Sequence, residues 1–244
     1  STLRNSTSSS AYDAQGVLRP QKRYGKTEAA SLIEYGFDRD VTLLMSPALR
    51  FLRAQGPPDQ VGVHVGSLDL GARWRLYREG AQIMSFQALT RLPMRSDPLF
   101  WGENRAKTEL RLGYGRSDLL FRGHPAFVDS GLTWAKRSEP WRDEIRADLT
   151  LGWHRWPGRM VLMQVFYAAY PSAPGQSRIP RQYKFEASTV SSLGNGWSLQ
   201  MGSFVSRGGV SMRYERGQVM GLWRAFLKTG FDGAEPIQAG PEFS

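Results

Sequence analysis

The residues best suited to covalent or proton-transfer chemistry are few and poorly arranged for it. The 244-residue chain has 3 histidines and no cysteine. Thiolate nucleophiles, disulfides, Cys-ligated zinc and iron–sulfur clusters are therefore excluded. The histidines occur as His64-Val65-Gly66, His124-Pro125-Ala126 and His154-Arg155-Trp156, so none fits a serine hydrolase of the His-x-Ser arrangement. His154 falls at the inner end of a strand and His124 in a turn region, 30 residues apart, so they do not make the cluster of histidines and carboxylates a metal site needs. Asp129, Glu144 and Asp148 have the chemistry of an acid/base set. The nearby Arg111 and Arg146 make ion pairs the simpler expectation for them. Neither a G-x-x-x-x-G-K-[ST] nor a G-x-G-x-x-G loop is present. No enzymatic activity, metal or cofactor is expected.

What remains is charge. Lys and Arg number 32 against 22 Asp and Glu, a formal net charge of +10. Such an excess is the usual mark of a nucleic-acid partner. Here the basic residues form no single run and lie on amphipathic segments, so nucleic acid is not an expected partner. No stretch of 18 apolar residues occurs, which removes a membrane-spanning helix. The longest apolar stretch, MVLMQVFYAAY at 160–170, is interrupted by Gln164.

The elements that carry these charges alternate with period two. In LDLGARWRLY at 68–77, Leu68, Leu70, Ala72, Trp74 and Leu76 oppose Asp69, Gly71, Arg73, Arg75 and Tyr77. In EIRADLTLGWH at 144–154, Ile145, Ala147, Leu149, Leu151 and Trp153 oppose Glu144, Arg146, Asp148, Thr150, Gly152 and His154. KTELRLGYG at 107–115 divides the same way, Leu110, Leu112 and Tyr114 against Lys107, Glu109, Arg111 and two glycines. A helix, with period 3.6, would mix these sets.

Short turn signals punctuate the segments: DRD at 38–40, EG at 79–80, RSD at 116–118, PGR at 157–159 and GNG at 194–196. Longer polar connections alternate with them, at 9–25, 55–62, 94–105, 136–142, 172–181 and 207–215. The result is twelve strands, near 1–8, 26–37, 41–54, 63–78, 82–93, 106–115, 126–135, 143–155, 159–170, 182–193, 197–206 and 216–227. Most exceed the usual soluble strand of about five or six residues and match the 9–11 of a tilted strand crossing a bilayer. A propeller would fit four short strands into each period of about 40 residues, where this sequence has two long ones. A soluble sandwich is the other all-β alternative. The reading favoured is an all-β, up-and-down antiparallel transmembrane β-barrel.

The polar faces carry Glu28, Glu34, Arg50, Asp69, Arg73, Arg75, Arg91, Lys107, Glu109, Arg111, Asp129, Glu144, Arg146, Asp148, Lys184 and Glu186. A dry sandwich core would not accept this set, because each unpaired ion there costs several kcal/mol. A wet barrel lumen would, with the apolar face turned to hydrocarbon. All of them except Glu28, Glu34 and Asp129 are taken as the lumen and constriction candidates. Tyr35, Phe37, Trp74, Tyr77, Tyr114, Trp153, Trp156 and Trp197 gather beside the short turns, where an interfacial aromatic girdle belongs.

At this point the chain resembles Gram-negative outer-membrane β-barrel proteins of uncharacterised function. EYGFDRDVTLLMSPALR at 34–50 and LGNGWSLQMGSF at 193–204 resemble their strand–turn–strand unit, and RGQVMGLWRAF at 216–226 their closing strand with its terminal Phe. The resemblance implies residence in the bacterial outer membrane, short periplasmic turns and long external loops. It gives a barrel over 1–227 and a C-terminal extension at 228–244, expected to be periplasmic and extended, with a possible envelope protein as its partner. Arg19, Lys22, Arg23, Lys26, Arg95, Arg105, Lys136, Arg137, Arg142, Arg178, Arg181, Arg207, Arg213 and Arg216 would form a basic external rim facing lipopolysaccharide phosphates. Three functions stay open: a narrow porin-like channel for small hydrophilic solutes or ions, a scaffold of an envelope assembly such as polysaccharide export, and a lipid-modifying enzyme.

Overall fold

A computed structural model describes residues 1–13, 17–54, 60–93, 106–137, 143–171, 180–208 and 213–224. The strands are β1 (Thr2–Tyr12), β2 (Leu18–Ala30), β3 (Ile33–Gly36), β4 (Val41–Ala54), β5 (Gln60–Glu79), β6 (Gln82–Pro93), β7 (Lys107–Phe121), β8 (His124–Arg137), β9 (Glu144–Trp156), β10 (Arg159–Ala169), β11 (Arg181–Gly194), β12 (Trp197–Gly208) and β13 (Arg213–Arg224). Both β2 and β3 pair with β4, so they are two parts of one wall strand broken at Ser31 and Leu32. At the break the Ser31 amide still donates to the Pro47 carbonyl, 3.0 Å away. Each strand pairs antiparallel with its sequence neighbours, and β1 pairs with β13. The sheet is therefore a closed barrel of twelve strands, with no edge left to aggregate.

Two regions depart most from the sequence expectation. The first strand runs to Tyr12 rather than residue 8, and its partner starts at Leu18 rather than 26. Their serine-rich run has no apolar face, so period two is silent there. Pairing with β13 and β2 on either side holds it in place. The second difference is at RSD, which is not a turn. β7 continues to Phe121, and the chain reverses at Arg122 (φ 50°) and Gly123 (φ 77°). The register there steps from Arg116↔Val128 to Leu119↔Ala126, one extra residue on β7, which defines a bulge. The Arg116 Nε–H donates to Asp118 Oδ1 at 2.6 Å, so charges that signalled a turn close a local bridge instead. At DRD the expected reversal forms: Asp38 Oδ1 accepts from the Asp40 and Val41 amides, each at 2.7 Å.

The wall is inside-out relative to a soluble domain. On β9, Glu144 is 4% exposed while Leu149 is 40% exposed; on the neighbouring β8, Leu132 reaches 57%. A soluble fold would not leave this many leucines uncovered. A hydrocarbon solvent outside the barrel reverses the preference. Tyr35, Phe37, Trp74, Tyr77, Trp156 and Trp197 are exposed at the short-turn end, with Tyr114 and Trp153 half-buried beside them. The ring of Trp153 meets Phe121 edge-on at 5.2 Å and His124 at 6.3 Å. His124 thus opens β8 within the girdle and does not sit in a turn. A second, unexpected aromatic band lies toward the long connections: Trp134, and Tyr167 against Tyr183 at 5.1 Å. Trp134 pairs with Ile145, which lies about 26 Å from Trp153 along β9 at ~3.3 Å per residue. Strand tilt reduces that to roughly 20 Å along the axis, close to the apolar height of outer-membrane barrels.

Candidate functional site: the lumen wall

Alternation turns one residue in two of each strand into the lumen, and the ionic residues among them meet at fixed places. On β5 and β6, Arg91 grips Asp69 with both arms, Nε–Oδ1 2.8 Å and Nη2–Oδ2 2.6 Å. Nearer the short turns, Arg73 reaches across β4 to Glu34 on β3 at 2.9 Å and also donates to Gln87 at 3.0 Å. Arg75 donates to Asp40 at 2.8 Å. On the β2–β4 side, Glu28 accepts from Arg50 at 2.7 Å and lies 3.3 Å from Lys26.

The densest network spans β7, β8 and β9. Arg111 on β7 passes over β8 to Asp148 on β9 through both nitrogens of its fork, the Nη2–Oδ2 contact being 2.9 Å. Gly131 makes this crossing possible. A Cβ there would stand 2.2 Å from Arg111 Cζ, so any side chain would displace the guanidinium. Arg146 makes the reverse crossing, from β9 to Glu109 on β7, and Lys107 binds the same carboxylate. Asp129 adds a longer contact to Arg111 at 3.7 Å. Arg137 pairs with Glu144, whose other oxygen accepts from the Tyr170 hydroxyl at 3.2 Å.

The opposite arc, β10 to β13, is filled differently. Leu162, Gln200 and Ser206 are essentially fully buried, with Gln164, Phe204 and Val219 close behind. Gln164 donates to Thr150 at 3.1 Å and Gln200 to Ser188 at 2.7 Å. The Phe204 ring lies on Gly217, where a Cβ would come within 2.7 Å of it. Charge is present here too: Glu186, fully covered, lies 3.6 Å from Arg4 on β1 and 3.6 Å from Lys184. Lys184 Nζ also sits 4.0 Å above the Phe166 ring centre.

The structure brings all sixteen charged polar-face residues named from the sequence into ion pairs. Lys26 and Arg137, read as part of the external rim, join them inside. Strand register, not loop position, decides which way they point. Arg4, Phe204, Gln164 and Gln200 were missed. The neutral members of that set carry no charge alternation, and Arg4 stands alone in a serine-rich strand. Of the remaining rim residues, Lys136, Arg181, Arg207 and Arg216 are exposed on the outer wall. Residues 95, 105, 142 and 178, the side chains of Lys22 and Arg213, Phe226 and the whole 228–244 extension lie outside the described residues.

Closed cylinder, apolar band and ionic interior together define an outer-membrane β-barrel. No family model and no curated protein matches the chain. Solved structures do. The COG4313 outer membrane channel from Pseudomonas putida F1 superposes with a TM-score of 0.64 at 19% identity, over 91% of this chain and 95% of that one. The NanC porin gives 0.53 at 6% identity, over 93% and 100%. The translocator domain of autotransporter NalP from Neisseria meningitidis gives 0.50 at 12% identity, over 92% and 88%. At these identities the likeness is one of fold.

Proposed function

We propose that the protein is a narrow porin-like channel for small hydrophilic solutes or ions. One observation carries the reading: ionic and amide side chains line the interior of a closed barrel, while the outer face is apolar. A barrel serving only as an anchor needs the outer face and could fill its interior with apolar packing. Twelve strands also fall between the eight that leave room for side chains alone and the 16–18 that leave a wide aqueous channel. Two of the structural neighbours are a channel and a porin, which supports the same reading. The outward Lys136, Arg181, Arg207 and Arg216 support a contact with lipopolysaccharide phosphates at the external rim. Purified protein in planar bilayers tests the channel: stepwise single-channel conductance is expected, and a bilayer that stays silent while the protein is folded and inserted overturns the proposal.

A further inference from the structure

A lysine–glutamate step recurs three times with one spacing: Lys26-Thr27-Glu28 on β2, Lys107-Thr108-Glu109 on β7 and Lys184-Phe185-Glu186 on β11. Period two places each pair on the lumen face. In every case an arginine from another strand completes the group: Arg50 of β4 on Glu28, Arg146 of β9 on Glu109, and Arg4 of β1 on Glu186. Each carboxylate is therefore shared by two cations, so each Lys–Glu–Arg trio by itself carries a net positive charge.

The placement is regular. With β2 and β3 counted as one wall strand, β2, β7 and β11 are four strands apart in each direction around the barrel. The groups thus stand a third of the circumference from one another. Each of these strands also runs inward from the end with the long connections. Asp69–Arg91, Glu34–Arg73, Asp40–Arg75 and Glu144–Arg137 each join one acid to one base. Two acids stand apart from that scheme. Asp129 adds its carboxylate to Arg111 on the short-turn side, opposite Gly115. Glu215 on β13 faces Lys184 from the register row of Ser206.

We propose that the three groups form a positive ring that makes the channel pass small anions in preference to cations. The proposal rests on the channel reading above and names its solute class. Rings of Lys and Arg are how anion pores select, and arginine stays charged at every working pH. A small inorganic anion or short carboxylate crossing the ring meets two cations for each carboxylate of the three trios, while a cation is repelled there.

The test is the reversal potential of the full chain in planar bilayers under a potassium chloride gradient. Chloride should be preferred over potassium. Lys26→Gln, Lys107→Gln and Lys184→Gln each leave the arginine on its carboxylate and convert one group to a neutral pair. Each should lower the chloride-to-potassium permeability ratio about twofold to threefold, the effect of a unit charge at several ångströms in a wet pore. Glu109→Gln should raise the ratio. Conductance with a potassium preference, or lysine variants with the parent ratio, overturns the ring while leaving the channel standing. No conductance at all overturns the channel and the ring with it.

Discussion

The two arcs of the lumen wall solve one problem by different means. From β4 to β9 the interior is filled with ions that cross-link alternate strands, as Arg111 and Arg146 do over β8. From β10 to β13, apart from the Lys184–Glu186 group, it is filled with amides, hydroxyls, leucine and aromatic rings seated on small residues. Both arcs leave the outer face to lipid. The contrast shows that a barrel interior needs hydrogen-bonding complementarity rather than charge. Charge adds long reach: a guanidinium spans two strands, whereas Gln200 reaches only the neighbouring strand.

Matched substitutions sharpen this contrast. Asp148→Leu removes the partner of an arginine that Gly131 holds flat against the wall. Leaving that guanidinium only its longer contact to Asp129 should cost about 3–5 kcal/mol in urea unfolding from lipid vesicles. A loss below about 1 kcal/mol would mean that the crossing ion pair adds nothing to the β4–β9 arc. On the outer face between these networks, Leu149→Arg should cost about 2–4 kcal/mol at the bilayer midplane, read as folding yield into vesicles. In the neutral arc, Leu162→Ala should cost about 2–3 kcal/mol through the void it leaves. Gln200→Leu should change stability by less than about 1 kcal/mol, because its side-chain oxygen has no hydrogen-bond partner among the described residues. A loss for Gln200→Leu as large as that for Asp148→Leu would erase the distinction between the arcs.

The same division explains what could be read from the sequence. The ionic arc was legible because Asp69, Arg73 and Arg75, then Lys107, Glu109 and Arg111, then Glu144, Arg146 and Asp148 repeat charge at every second position against leucines. The arc from β10 to β13 gave its strands and the Lys184–Glu186 pair but not its neutral lumen side chains. Gln164 reads as an interruption of an apolar stretch, and Phe204 looks equally suited to lipid. Only register shows Phe204 turned inward onto Gly217. Arg4 was hidden for the same reason: its pairing with Glu186 spans β12 and β13, a closure that exists only once β1 meets the last strand. RSD misled because Arg, Ser and Asp suit a bulge as well as a turn.

The absence of native cysteine allows a direct test of the orientation on which all of this depends. Single cysteines placed in turn at positions 144–152 of β9, each carrying a nitroxide, can be assayed in vesicles for collision with oxygen and with a water-soluble nickel chelate. Positions 145, 147, 149 and 151 should collide with oxygen, and the even positions between them should be shielded from it. Equal oxygen accessibility along the strand, or the opposite alternation, would contradict an apolar exterior wrapped around an ionic lumen.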